Sequence, residues 1–234
     1  MAMSFKVFSA LLSYPTAELQ LALPKLRRVL LDDDLIDLTL WPALAAFLDE
    51  LAAQDLLELQ QRYVFLFDRT RSLSLHIFEH VHGESRARGQ AMVDLQTLYE
   101  SRGLSISARE LPDYLPLFLE FLSLLPLSEA RELLDQPLHI VATLRERLTK
   151  RGSGYADLLR SLESLTSERP QATVVAELLS QPEDDPDDLA ALDRVWEEEI
   201  VTFGAQAQGE GNCGPDRIRR QLRASARSAD AGGE

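Results

Sequence analysis

The stretch of residues 114–125 most constrains what this chain can fold into, because apolar side chains occupy almost every position in it. Asp113 precedes it as a candidate N-cap, and Pro116 falls in its first turn, where a missing N–H is tolerated. A helix that is apolar nearly all round is buried among other helices. We therefore expect residues 114–125 to form the central helix, with Glu120 as its one charged residue.

The chain around this stretch shows apolar residues at helical spacing rather than the alternation of a strand. The clearest apolar stripe covers residues 41–51. Thr16 and Asp55 stand where helix N-caps are expected, and Pro24 is expected to break or restart the helix that contains it. These signals predict an all-α protein, a single-domain helical bundle over residues 1–180.

The composition changes beyond residue 180. Nine of the chain's 38 acidic residues lie between residues 183 and 199, a charge run typical of a solvated segment. We predict an acidic segment with room for a short helix over residues 181–204. Residues 205–234 are rich in Gly, Ala, Ser and Arg, which predicts a disordered C-terminal tail.

The charge and cysteine content exclude several classes of function. A net charge of −14 argues against nucleic-acid binding, which needs a basic surface, and favours a basic partner segment whose binding weakens in salt. The sequence has no apolar run near the roughly 20 residues of a membrane span, so we expect no direct membrane insertion. The single cysteine, Cys213, allows no intrachain disulfide. With no convincing secretory signal either, we predict a cytoplasmic protein.

Residues 63–94 read YVFLFDRTRSLSLHIFEHVHGESRARGQAMVD and hold three of the four histidines. Polar groups at this density usually line a cleft or a partner surface. Within the segment, His76, Glu79 and His80 match H-x-x-E-H, in which two histidines on one helical face share a zinc ion beside a general base. The same spacing also suits histidines that merely hydrogen-bond to carboxylates and backbone, and no third ligand is evident. We predict no metal, no cofactor and no catalytic residue, with a zinc hydrolase as an alternative.

Two blocks, residues 63–103 and ELPDYLPLFLEFLSLLP at residues 110–126, resemble the NarJ family of nitrate reductase assembly chaperones, within the wider TorD/DmsD group. The resemblance is dense over residues 63–126 and looser over residues 5–165. It implies a helical bundle of the TorD/NarJ type and a chaperone rather than an enzyme. Such a chaperone would bind the N-terminal segment of the apo catalytic (alpha) subunit as a helix. It would hold that subunit ready for molybdenum cofactor insertion and complex assembly. A chaperone of the same superfamily for another molybdoenzyme stays open as an alternative.

The resemblance also implies which residues would bind the partner peptide. In the wider group an acid-x-Pro-Asp-(His or Tyr) loop leads into a helix with a downstream glutamate. In this sequence the loop and the helix supply Glu110, Pro112, Asp113, Tyr114 and Glu120. The first block supplies the other residues expected to line or support the groove: Tyr63, Phe67, Asp68, Arg69, His76, Glu79, His80, His82 and Glu84.

Each of these side chains could instead hold the fold together. A pair between Arg69 and either Glu79 or Asp113 would be an ordinary structural contact. This chain has Tyr114 where many relatives outside the nitrate reductase branch have histidine, so no role that needs an imidazole there carries over. Three imidazoles near their ordinary pKa would gain charge between roughly pH 7 and pH 5, which predicts a pH-dependent affinity for a basic peptide.

Overall fold

The computed structural model of this 234-residue chain describes residues 2–82, 86–106 and 110–181. In these residues the chain forms eleven α-helices and no β-strand, which confirms the predicted all-α fold. In chain order they are α1 (Met3–Leu12), α2 (Ala17–Asp33), α3 (Trp41–Ala53), α4 (Leu56–Tyr63), α5 (Glu79–His82), α6 (Arg86–Ser101), α7 (Leu115–Leu122), α8 (Leu127–Asp135), α9 (Leu138–Lys150), α10 (Tyr155–Glu163) and α11 (Ala172–Ser180).

All of these helices belong to one compact unit, Met1–Asp187. The predicted acidic segment, apart from Gln181, and the predicted tail lie outside the described residues. None of the described helices is long and apolar enough to cross a bilayer.

Helix α7 is buried, as its composition predicts. It packs along α1 and also contacts α8, and its Leu119, Phe121 and Leu122 have no exposed surface. Burying each such side chain contributes about 1.5–3 kcal/mol relative to leaving it exposed. The helix is shorter than expected, because it ends at Leu122 rather than at residue 125.

Two of the predicted helix caps are confirmed, and the predicted break is wrong. The Thr16 hydroxyl accepts a hydrogen bond from the Leu19 amide at 3.2 Å, and the Asp55 carboxylate starts α4 in the same way. Helix α2, however, continues through Pro24. Because α2 lies at the surface, water can satisfy the carbonyl that the proline leaves without a donor.

Candidate functional site

Helix α4 passes directly into a π-helical turn, Val64–Asp68. The turn closes with a hydrogen bond from the Arg69 amide to the Val64 carbonyl at 3.1 Å. The Thr70 hydroxyl adds a bond to the Leu66 carbonyl at 3.1 Å. Leu66 and Phe67 point into the core here, so Phe67 supports the site from behind. Single π turns of this kind are rare and recur at functional sites.

The two sequence blocks meet through their backbones. The Leu115 amide donates to the Leu75 carbonyl at 2.8 Å, and the Ile77 amide donates to the Asp113 carbonyl at 3.0 Å. His76 and Tyr114 form the antiparallel bridge between them. We call residues 75–77 and 113–115 the seam. The seam brings both blocks of candidate residues into one place.

Asp113 is the buried centre of the seam. Its side chain has no exposed surface, and its two oxygens accept hydrogen bonds from the Phe78 amide and from Nδ1 of His76, both at 3.1 Å. The prediction that Asp113 caps the following helix is therefore wrong, and Tyr114 occupies the N-cap position without a side-chain bond. A fully buried carboxylate needs several donors, and the seam supplies them.

Arg88 of α6 completes the charge balance of the seam. Its guanidinium lies 3.1 Å from a Glu79 carboxylate oxygen and 4.0 Å from an Asp113 oxygen. The ordinary structural pair considered for Arg69 is thus made by Arg88 instead. Arg69 is exposed and faces a groove described below.

Two tyrosines close one end of the seam. The Tyr63 hydroxyl donates to the Leu12 carbonyl at 2.8 Å and lies 3.1 Å from the Tyr114 hydroxyl. Burial raises the pKa of Tyr63 far above its ordinary value, so this phenol remains protonated. Tyr114 is half-buried, with its ring 5.4 Å from that of His76. Tyr114 and His76 are therefore accessible in part to a partner.

The histidines of this segment are not equivalent. The hydrogen bond to Asp113 raises the pKa of His76, whereas burial lowers the pKa of His80, whose Nε2 donates to the Ser74 carbonyl at 2.8 Å. The expectation that these two imidazoles titrate near their ordinary pKa is wrong. The side chain of His82, and Glu84 as a whole, lie outside the described residues.

The H-x-x-E-H match does not form one helical face. Helix α5 starts at Glu79, so His76 lies before it and turns to Asp113. Across the described parts of the chain, no three His, Cys, Asp or Glu side chains converge to hold a metal ion.

The remaining predicted residues are dispersed around the seam. Pro112 is buried, and its carbonyl accepts from the Tyr99 hydroxyl at 2.8 Å. Asp68 and Glu110 are exposed. Glu120 lies on α7 outside the seam and pairs with Lys6 of α1 at 3.5 Å.

Arg147 is a structural residue that the sequence analysis missed. It is buried on α9, and its guanidinium donates to the Ser72 carbonyl at 2.7 Å and to the Leu178 carbonyl at 2.8 Å. Ser72 lies 75 positions away, and no local sequence pattern indicates such a contact. Arg147 therefore ties α9 and α11 to the segment that leads into the seam.

An open groove of about 710 Å³ runs along the outer side of α4 and the π turn. We call it the outer groove. Tyr14 forms part of its wall and packs edge-on against Tyr63, with ring centroids 5.6 Å apart. The groove is lined by Tyr14, Leu57, Glu58, Gln60, Gln61, Arg62, Val64, Phe65 and Arg69.

The described residues thus form an all-α bundle with a hydrogen-bonded seam and an open groove on its surface. The family model described as "Nitrate reductase delta subunit" matches residues 17–161. The chain belongs to this family.

Named relatives cover most of the chain. This chain is 48% identical to "Nitrate reductase molybdenum cofactor assembly chaperone NarJ" of Escherichia coli (strain K12) over 181 residues. The aligned residues cover 77% of this chain and 75% of that relative. The chain is 46% identical over 162 residues to "Probable nitrate reductase molybdenum cofactor assembly chaperone NarW" of the same strain, covering 69% of this chain and 70% of that one. A probable NarJ chaperone of Bacillus subtilis (strain 168) is 33% identical over 159 residues, covering 68% and 85%.

Proposed function

We propose that this protein is an assembly chaperone for nitrate reductase that keeps the enzyme competent for molybdenum cofactor insertion. The observation that carries the proposal is the 48% identity, over 77% of this chain, to a relative named as such a chaperone. The role is one of binding rather than catalysis. In support, the charged side chains in and beside the seam are paired with one another. Asp113 pairs with His76, and Glu79 pairs with Arg88.

The partner would be the apo catalytic (alpha) subunit, recognised through its N-terminal segment in helical form. Helix-in-groove recognition takes its affinity from apolar anchors every three or four residues and its register from a polar rim. The outer groove offers both, because Leu57, Val64 and Phe65 line it together with the charged Glu58 and Arg69. The seam separately presents the half-buried Tyr114 and His76.

Two carboxylates, Asp68 and Glu110, lie near Tyr114 and suit a basic residue of the partner. Burial raises the pKa of Tyr114, and the negative charges of Glu110 and Asp68 contribute to the same shift. Both carboxylates are exposed, so a partner cation could reach them. Such contacts are screened by salt, and binding should therefore weaken as ionic strength rises.

The proposed cycle needs no covalent step by the chaperone. It would bind the incomplete subunit, hold it while cofactor is inserted, and then leave. We place this encounter in the cytoplasm, which fractionation of cells that carry a tagged full-length chain can check.

Calorimetric titration of the purified chain with the N-terminal peptide of the catalytic subunit tests this proposal. We expect saturable one-to-one binding that weakens in salt, and weaker binding by Tyr114→Ala. Val93→Ala serves as the matched control, because Val93 is an exposed side chain on α6. A scrambled peptide should not bind.

A peptide panel and a metal assay on the same preparation separate the other functions. Preference for the N-terminal peptide of a dimethyl sulfoxide or trimethylamine oxide reductase would make the protein a chaperone for that enzyme instead. One equivalent of zinc per chain, no peptide binding, and a hydrolytic activity lost in Glu79→Gln would replace the chaperone proposal with a zinc hydrolase.

A further inference from the structure

The outer groove has an apolar floor that is open to solvent. Leu57 is 62% exposed and Tyr14 is 46% exposed, while Val64 and Phe65 are half-buried. Leu57 and Gln61 of α4 and Phe65 of the π turn follow one another four positions apart and all line the groove. A row of side chains with this spacing is the surface against which a second helix packs.

The π turn decides which charge stands at the end of this groove. In a regular α-helix the residue one turn beyond Val64 would be Asp68, four positions on. The observed bond joins Val64 to Arg69, five positions on, so the extra residue brings Arg69 over Val64. Arg69 accordingly lines the groove, whereas Asp68 is not among its lining residues. The one extra residue in the π turn therefore puts the cation Arg69, rather than the anion Asp68, on the outer groove.

The charges along the groove have opposite signs at its two ends. Glu58 lies in the first turn of α4, and Arg69 follows the π turn. Arg62, between them, is already paired with Glu50. Within the described residues no acidic side chain pairs with Arg69. The eleven positions from residue 58 to residue 69 correspond to about three helical turns, or roughly 16 Å.

We propose that the outer groove docks an amphipathic helix of about three turns that carries a carboxylate for Arg69 and a cation for Glu58. Apolar side chains of that helix would pack on Leu57, Phe65 and Tyr14.

This inference rests on the proposed function, since the docked helix is the N-terminal segment of the reductase catalytic subunit. It differs from what the chain's overall charge suggests. A net charge of −14 favours a basic partner, whereas the groove selects a helix with both signs of charge, placed three turns apart.

A charge-exchange experiment with the full-length chain tests the proposal. The probe is a synthetic peptide of the N-terminal segment of the catalytic subunit, together with variants in which each acidic residue is replaced by lysine in turn. We expect Arg69→Glu to weaken binding of the natural peptide about fivefold, as exposed ion pairs typically contribute. One lysine-substituted peptide should then bind Arg69→Glu better than it binds the natural chain.

Leu57→Glu tests the apolar floor in the same titrations. Because this variant places a charge under the docked helix, we expect at least about tenfold weaker binding. Val93→Glu is the matched control, since Val93 is exposed to a similar degree, 56%, on α6. Both substitutions are at exposed positions, and urea unfolding should confirm that both variants fold.

The outcomes separate the groove from the function. If the natural chain binds the peptide, while Leu57→Glu and Arg69→Glu bind it equally well, the groove is not the docking surface and the chaperone role stands. If no lysine-substituted peptide reverses the effect of Arg69→Glu, Arg69 does not pair with a carboxylate and the charge assignment is overturned. Failure of the natural chain to bind both the peptide and the whole catalytic subunit overturns the proposed function together with this inference.

Discussion

The carboxylate of Asp113 accepts a hydrogen bond at 3.1 Å from His76, a residue 37 positions earlier in the chain. The same carboxylate accepts from the Phe78 amide, so one buried side chain fixes the course of the segment before α5. Breaking this arrangement should affect both the fold and the surface that His76 and Tyr114 present.

Asp113→Asn should destabilise the protein by about 2–3 kcal/mol, because the amide cannot replace the charge-assisted bond to His76. Urea unfolding monitored by circular dichroism measures the change. Asp49→Asn is the control, since Asp49 makes an exposed pair with Arg27 and its loss should change stability by less than about 1 kcal/mol. Equal stabilities for Asp113→Asn and the natural chain would contradict the central role of Asp113.

His76 and His80 should make contributions to the unfolding free energy that depend on pH in opposite directions. Asp113 raises the pKa of His76 above its ordinary value of 6.5, so the stability that His76 contributes is complete below about pH 6.5. It is lost as the pH rises through the folded-state pKa. Burial lowers the pKa of His80, so its contribution is complete above about pH 6.5 and is lost as the pH falls through the folded-state pKa.

Single variants separate these effects. The free energy of unfolding that His76→Gln loses relative to the natural chain should be larger near pH 5.5 than near pH 8, and the loss in His80→Gln should be larger near pH 8. Unfolding curves at a series of pH values measure both differences. Parallel pH profiles for the two variants would show that the two imidazoles have the same environment.

Arg147→Met should lower the unfolding free energy by about 2–4 kcal/mol, because it leaves two buried carbonyls, of Ser72 and Leu178, without this donor. Hydrogen exchange should accelerate together in residues 71–74 and in α11, which the guanidinium joins. The control is Arg27→Met on the exposed surface pair, which should leave both regions unchanged. Faster exchange in α11 alone would mean that Arg147 does not couple it to the seam.

Local signals predicted much of the fold. The caps at Thr16 and Asp55 are confirmed. These features depend on a few neighbouring residues whose hydrogen bonds are satisfied locally. The same reasoning failed for Pro24. In the exposed helix α2, water can replace the backbone hydrogen bond that the proline removes, whereas a buried helix would not tolerate that loss.

The candidate site could be predicted only as a set of residues, and its geometry could not. The Tyr63 and Tyr114 hydroxyls lie 3.1 Å apart across 51 positions of sequence, and spacing carries no signal for such a contact. The alternative structural pair of Arg69 with Glu79 or Asp113 could not be judged from spacing either, and it is Arg88 that lies beside both carboxylates. The π turn places Arg69 rather than Asp68 on the outer groove, and Arg88 of α6 lies close to Asp113 of the seam.

A pair of glycine substitutions tests how closely Gly154, just before α10, packs against Phe47 of α3. A Cβ at Gly154 would lie 2.5 Å from Cδ2 of Phe47, a ring that is buried and packs on Tyr155 with centroids 4.9 Å apart. Gly154→Ala should therefore cost about 1–3 kcal/mol through displacement of that ring. Gly89→Ala is the matched change within α6, where a Cβ meets nothing within 4 Å, and it should stabilise the protein by about 0.5–1 kcal/mol. Thermal unfolding should move the two midpoints in opposite directions, and a stabilised Gly154→Ala would mean that Phe47 has room to move.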